Sequence, residues 1–311
     1  MHPANSVIVF TTLSGLGFGM MFWLGLGFGP SGAVAGPLAA FAAMAFAGVG
    51  LVASTFHLGN PQRALKAFTQ WRSSWLSREG CVSVALMGVF FLYAALWFID
   101  GAPSRALGLV SAALAVLAVV CTAMIYAQLK TVPRWSNVMT VPMFLGYAAG
   151  GGVIATSFAA ALSGETAPIT MSAALLVASA AAYTYRRTSQ AISLKARGHS
   201  PETATGLGAL GKVRLLESPH SQPNYLMKEM VFKVARKHAE KLALISVIAG
   251  LFAPLFLFVV FRDASAYDMP GALGVLGLAL ALALHIGGAL ASRWLLFAEA
   301  EHVVGLYYGE R

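Results

Sequence analysis

The chain has 311 residues, 58% of them apolar and only 11% charged, with 21 lysines and arginines against 12 aspartates and glutamates. A mean hydropathy of +0.72 excludes a water-soluble domain, which would have nowhere to put so much apolar surface, and predicts an integral membrane protein. The two cysteines, Cys81 and Cys121, both fall in apolar runs, which excludes a disulfide framework and leaves no cysteine series for iron–sulfur clusters or zinc within the chain.

The opening MHPANSV carries no basic region, and the apolar run behind it has no small-residue cleavage pattern, so it is expected to persist as the first span. A spanning helix needs roughly 20 mostly apolar residues. Eight segments qualify, about 6–28, 34–57, 80–100, 106–129, 138–162, 168–185, 240–261 and 271–297. They predict an all-α, polytopic bundle of eight transmembrane helices without β-sheet, one membrane domain over 1–311 with a basic loop at 186–239. Turn chemistry stops the helices at Gly29-Pro30, at Gly101 to Pro103, at Val132-Pro133 and at Pro270-Gly271. Small residues inside the spans, such as Gly15, Gly17, Gly19 and the run Gly150 to Gly152, let helices approach closely, and helix packing accounts for them.

Between the second and third spans lies a polar interruption, HLGNPQRALKAFTQWRSSWLSREG, from His57 to Gly80. Its charges cannot sit in hydrocarbon, where each costs several kcal/mol, so it belongs at the membrane surface or in a protected pocket. His57 closes the second span and Glu79 opens the third, which brings a base and an acid to neighbouring helix ends on one side of the membrane. A lone interfacial histidine is usually a solvated cap. An acid–base pair at a membrane edge also suits a lipid-soluble ligand that gains and loses protons with electrons, and quinones are the chemical class that does so. Arg78 alternatively holds Glu79 in a simple ion pair.

The 186–241 segment is hydrophilic and basic. Its GLGALGK, Gly206 to Lys212, matches a loose nucleotide-binding pattern, but no strand precedes it and Val213 stands where a phosphate loop needs Ser or Thr, so nucleotide binding is not expected. The following YLMKEMVFKVARKHAEKL puts Leu226, Met230, Val231 and Val234 at helical spacing, an amphipathic helix that lies on anionic lipid or docks a soluble partner. The last span ends in SRWLLFAEAEHVV, where Arg293, Glu299, Glu301 and His302 cluster, either as an ion pair or as part of a site. Tyr126, Trp135, Tyr183 and Tyr185 are expected to form an interfacial aromatic belt. His285, near the middle of its span, is read as a helix-to-helix hydrogen bond or, failing that, an iron ligand.

With eight spans, all but two of the 21 cations, Arg105 and Arg262, fall on the side shared by both termini. The positive-inside rule then makes that side cytoplasmic, in a bacterial inner membrane. Its excess positive charge is expected to draw an acidic soluble subunit.

HLGNPQRA followed by SSWLSREG, together with eight spans, NYLMKEM and RWLLFAEAEH, resembles the DmsC-type family of membrane anchors of molybdopterin oxidoreductases, which includes the dimethyl sulfoxide reductase anchors. The resemblance covers nearly the whole chain. It implies a subunit without substrate chemistry of its own, which anchors an iron–sulfur subunit and, through it, a molybdopterin subunit, and exchanges electrons with membrane quinone, ubiquinone or menaquinone. By motif position it implies a quinone site at His57 and Glu79, with Arg63, Trp71, Ser77 and Arg78 beside them. Arg293, Glu299 and His302 are secondary candidates. A b-type haem would draw on His57, His238, His285 or His302. A cytoplasmic HLG loop favours the similar anchor of cytoplasmic sulfite dehydrogenases over a quinol-oxidising dimethyl sulfoxide reductase anchor. An eight-span transporter is a distant rival, since no inverted repeat or paired broken helices are visible.

Overall fold

The computed structural model describes residues 3–56, 60–165, 179, 183, 193–217, 239–261 and 271–308. Its helices are α1 (Asn5–Gly25), α2 (Ala35–Thr55), α3 (Trp75–Asp100), α4 (Arg105–Ala127), α5 (Thr140–Leu162), α6 (Ala239–Val247), α7 (Ala253–Phe261) and α8 (Gly271–Ala298). A π-helical turn, Ile248–Phe252, joins α6 to α7 into one span. Among the described residues there is no strand, and seven helical stretches are long and apolar enough to cross a membrane. The protein is a multi-pass helical membrane bundle. The expected span at 168–185 lies outside the described residues, apart from the helical Ser179 and Tyr183. So does most of the expected amphipathic helix.

Helices form here because lipid offers backbone groups no partners, so each apolar run must satisfy its own N–H and C=O groups. α1 is the central helix and packs against α2, α4, α5 and α8. Its contact with α5 depends on glycine: a Cβ on Gly19 would lie 1.8 Å from the Ala148 carbonyl oxygen, and one on Gly152 would lie 2.2 Å from the Gly19 carbonyl carbon. The small residues read from the sequence thus mark a real close approach.

The third span starts earlier than the sequence suggests. Ser74 caps α3, accepting from the Ser77 backbone N–H at 3.4 Å, so Ser77, Arg78 and Glu79 lie inside the first turns of the helix rather than before it. The helix stops at Gly101, whose φ of 74° is the left-handed conformation that glycine adopts freely.

Hydrogen bonds sort the connections into two ends. At one, Glu165 accepts from the Ser31 N–H at 2.8 Å and from its hydroxyl at 2.7 Å, tying the α1–α2 connection to the end of α5. At the other, Arg134 pairs with Glu299 at 3.1 Å, the Val303 N–H donates to the Thr131 carbonyl, and Arg197 donates to the Ser136 carbonyl. Leu194 N–H reaches Glu301, and the Tyr307 hydroxyl donates to the Ala204 carbonyl. The basic segment 193–217 is therefore folded against the C-terminal residues at the end where α3 begins and α4 finishes.

The expected aromatic belt is corrected. Tyr126 and Trp135 are buried in an interior cluster with Phe144 and Phe297, and the Trp135 indole N–H donates to the Leu296 carbonyl at 2.7 Å. Tyr183 is buried too, its hydroxyl 2.7 Å from the Ser246 hydroxyl, while Tyr185 lies outside the described residues. Aromatic residues near a span end read as anchors from sequence; here the loop after α4 brings Trp135 against Tyr126 and Phe297, while Tyr183 packs on Tyr147 of α5 and Ser246 of α6.

Candidate functional site

The polar stretch after α2 folds onto the start of α3. Pro61–Gln70 is a 3₁₀-helical segment, with proline in its first turn. The Ser77 hydroxyl donates to the Ala67 carbonyl, and the Phe68 ring lies against Gly80, where a Cβ would be 3.3 Å from it. Arg78 donates from Nε to the Trp71 carbonyl at 2.9 Å and from Nη2 to the Arg72 carbonyl at 2.7 Å, with its guanidinium 4.3 Å over the Trp75 ring. These bonds make a platform over the first turns of α3. Its outer surface exposes Arg63, Leu65, Lys66 and Trp71, with Arg72 stacked on Trp71.

Glu79, only 5% exposed, lies on the other face of α3, on the side of Ser83, Leu86 and Phe90 that is buried in the bundle. Its carboxylate accepts from the Ser83 hydroxyl at 3.3 Å, and among the described residues no cation pairs with it. The ion pair with Arg78 considered from sequence is not formed, because Arg78 is spent on backbone carbonyls and on Trp75. A carboxyl buried this way is held by one weak hydrogen bond, so gaining or losing a proton breaks no salt bridge.

His57, the expected partner of Glu79, lies outside the described residues, as does His238. The residue before His57, Phe56, is 80% exposed at the end of α2. It closes an apolar groove of ≈ 680 Å³ between α1 and α2, with Asn5 and Ser6 at its polar margin. A second apolar cleft of ≈ 550 Å³ opens between α1, α4 and α5, lined by Phe18, Phe22 and Trp23 among others, and does not touch Glu79.

The secondary candidates separate. Arg293 does not join Glu299 or Glu301: it is buried inside α8 with its guanidinium 3.6 Å over the Phe144 ring, so it is an interior residue and not a cation of the adjoining loop. Glu299 pairs instead with Arg134, 165 residues away in sequence. His302 lies beyond α8; its Nδ1 accepts from the Val304 N–H at 3.0 Å, and burial pushes the imidazole below its ordinary pKa. Both ring nitrogens of His285 face carbonyls, Gly250 at 2.7 Å and Tyr147 at 3.1 Å. The ring thus bridges α8 to α5 and to the turn between α6 and α7, the helix-to-helix contact that the sequence suggests. The π turn supplies the Gly250 carbonyl, and Gly151 makes room for the ring. Among the described residues no three His, Cys, Asp or Glu converge as metal ligands do.

The sequence profile of the DMSO reductase anchor subunits, DmsC, matches residues 6–258, a stretch that holds α1 to α6, the platform and most of α7. The chain belongs to this family. It is similar to the C subunit of sulfite dehydrogenase from Allochromatium vinosum, with 30% identity over 336 residues that span 99% of both proteins. It is also similar to YnfH, an anaerobic dimethyl sulfoxide reductase component of Escherichia coli, at 35% identity over 39% of this protein and 44% of that one. The C component of the anaerobic dimethyl sulfoxide reductase of the same organism is 32% identical over 32% of this protein and 37% of its own length. Arg293, beyond the matched stretch, is the feature that sequence reasoning misplaces; its signal is a cation followed by four apolar residues, WLLF, too far inside the span to be a loop.

Proposed function

We propose that this DmsC-family anchor passes electrons between an iron–sulfur subunit and membrane quinone, at a site formed by His57 and by Glu79 near the start of α3. The observation that carries the reading is Glu79 itself: a buried carboxyl, unpaired with any described cation, in the second turn of a membrane helix. Reducing a quinone takes two protons with two electrons, so the headgroup needs a hydrogen-bonding group and a proton carrier beside it. His57 serves as the hydrogen-bonding imidazole, and Glu79 carries protons between the headgroup and the polar end of the bundle. The apolar groove that ends at Phe56 suits an isoprenoid tail.

The platform and the segments tied to it offer the docking surface. Arg63, Lys66, Arg72, Lys130, Lys195 and Arg197 all belong to that end, whereas Arg105 starts α4 at the other. That bias favours a cytoplasmic position for this end and for both termini, in a bacterial inner membrane. An iron–sulfur subunit with an acidic patch docks there and carries a molybdopterin subunit.

Sulfite oxidation is the preferred substrate reaction of that partner, because the likeness to the sulfite dehydrogenase subunit runs end to end while the dimethyl sulfoxide reductase relatives match less than half of the protein. The test is to purify the complex by a tag on this subunit and measure electron transfer from sulfite to a short-chain quinone, with and without it. Quinone reduction that requires the subunit supports the reading. Reduction equally fast without it refutes the quinone role, and reduction of dimethyl sulfoxide by quinol would replace sulfite as the partner's substrate.

A further inference from the structure

Arg293 is 2% exposed, and its Nε and Nη1 find no hydrogen-bond partner among the described residues. The Thr12 hydroxyl is likewise buried and unpartnered. Among the described residues no carboxylate comes to the guanidinium, since Glu79 accepts from Ser83 and Glu299 pairs with Arg134. A guanidinium inside a membrane bundle costs several kcal/mol. Stacking on Phe144 at 3.6 Å returns only part of that cost, and the rest has to come from hydrogen bonds.

Two small cavities border Arg293, each of ≈ 10 Å³, the room that a single water needs. Thr11 lines both of them. Its hydroxyl donates to the Val7 carbonyl at 2.9 Å, with the Ile8 carbonyl at 3.3 Å, so lone pairs are what it offers the cavities. On the α4 side Ser14 and Thr122 add two hydroxyls whose protons are committed, to the Phe10 and Ala118 carbonyls at 2.7 and 3.0 Å. On the α8 side Thr12 adds a hydroxyl free to donate or accept, while both His285 nitrogens are turned to carbonyls. Each cavity therefore sets the donors of Arg293 opposite oxygen lone pairs, one small molecule apart. An anion there would meet the lone pairs, and a cation would meet the guanidinium. The body that fits is neutral, accepts on one side and donates on the other, which is the chemistry of water.

We propose that two internal waters, one in each cavity, hydrate the Arg293 guanidinium and bridge α8 to α1 and α4. Each accepts from Arg293 and donates to the hydroxyls that line its cavity, which gives it the few bonds that an internal water makes. Through them the charged arginine ties the central helix to two of its neighbours at a depth where lipid offers no partner. The site is independent of quinone chemistry. It is tested on the purified full-length protein in lipid nanodiscs by X-ray radiolysis in water enriched in heavy oxygen. X-rays split water where it sits, and the hydroxyl radical from an internal water labels the side chain beside it. Mass spectrometry then compares buried residues of one type: Phe144, which lines the α4-side cavity, with Phe90, and Tyr147, which lines the α8-side cavity, with Tyr93. Phe144 and Tyr147 should take up heavy oxygen, and Phe90 and Tyr93, which line neither cavity, should not. Ser14→Ala combined with Thr122→Val keeps the arginine and removes two hydroxyls from the α4-side cavity alone. It should lower Phe144 labelling roughly tenfold through the two lost bonds and leave Tyr147 labelling unchanged. Phe144 or Tyr147 labelled no more than its control would overturn the proposal. So would Phe144 labelling that the double variant leaves unchanged, or a fall at Tyr147 as large as that at Phe144.

Discussion

Glu79→Gln is the substitution that separates a proton carrier from a packing residue. The two side chains have nearly the same volume, and the Gln carbonyl can accept the bond that the Ser83 hydroxyl now gives at 3.3 Å, so the buried site stays filled, and the cost is that of two new amide N–H donors. The structural cost should be about 1–2 kcal/mol of folding stability. What is lost is ionisation. If Glu79 moves protons for quinone, removing a positioned acid–base group should lower quinone-linked turnover by roughly 10²- to 10⁴-fold, about 3–5 kcal/mol at the barrier. These magnitudes do not overlap. The assay compares three readings on the purified complex: sulfite-to-quinone rate across pH, sulfite-to-artificial-acceptor rate, and unfolding temperature. The expected result is a large loss in the first, with a flattened pH profile, little change in the second and at most a modest fall in the third. A loss shared equally by both rates, or one smaller than tenfold with a lowered unfolding temperature, would make Glu79 a structural residue.

Other substitutions test the surroundings. Arg78→Ala removes two bonds to the Trp71 and Arg72 carbonyls and a stack on Trp75; it should loosen the platform by about 1–3 kcal/mol, seen as faster proteolysis within 60–74 while the bundle melts unchanged. Gly152→Ala drives a Cβ to 2.2 Å from the Gly19 backbone and should cost about 3 kcal/mol or more by thermal melting, whereas Gly48→Ala, which meets nothing within 4 Å, should be neutral or slightly stabilising. Glu165 is held below the usual carboxylate range mainly by the Ser31 hydroxyl. A folded value below the unfolded one stabilises above the unfolded carboxylate pKa of about 4.3, and the gain fades as pH falls through the folded value. Glu165→Gln should therefore melt lower at neutral pH, by no more than about 1 kcal/mol because solvent screens the group, and should converge with the wild type in acid.

Much of this architecture is legible in the sequence because lipid imposes a strong rule: an apolar run of the right length must be a helix. The boundaries of α1, α2, α4 and α5 follow within a few residues. The start of α3 is harder to read because Arg78 and Glu79 look like interfacial charges, while Ser74, a capping residue, sets the true beginning. The polar stretch stands out by its residue types, but its fold does not, since Arg78 reaches backward to backbone carbonyls that no charge pattern reveals. The least legible features are those made across distance. Glu299 finds Arg134 rather than the nearer Arg293, and Tyr126, expected at the interface, is packed against Trp135 of a returning loop. His285 is legible as a bridge between helices, yet its bond to the Gly250 carbonyl depends on a π turn with no sequence signature.

The central claim is that this end of the bundle exchanges electrons with quinone through His57 and Glu79. It is tested most directly by His57→Ala in the assembled complex, with quinone-linked and artificial-acceptor rates measured side by side on the same preparation. The account predicts that quinone reduction is lost while assembly and the artificial-acceptor rate stay at wild-type levels. Equal losses in both rates, or full retention of quinone reduction, would contradict it.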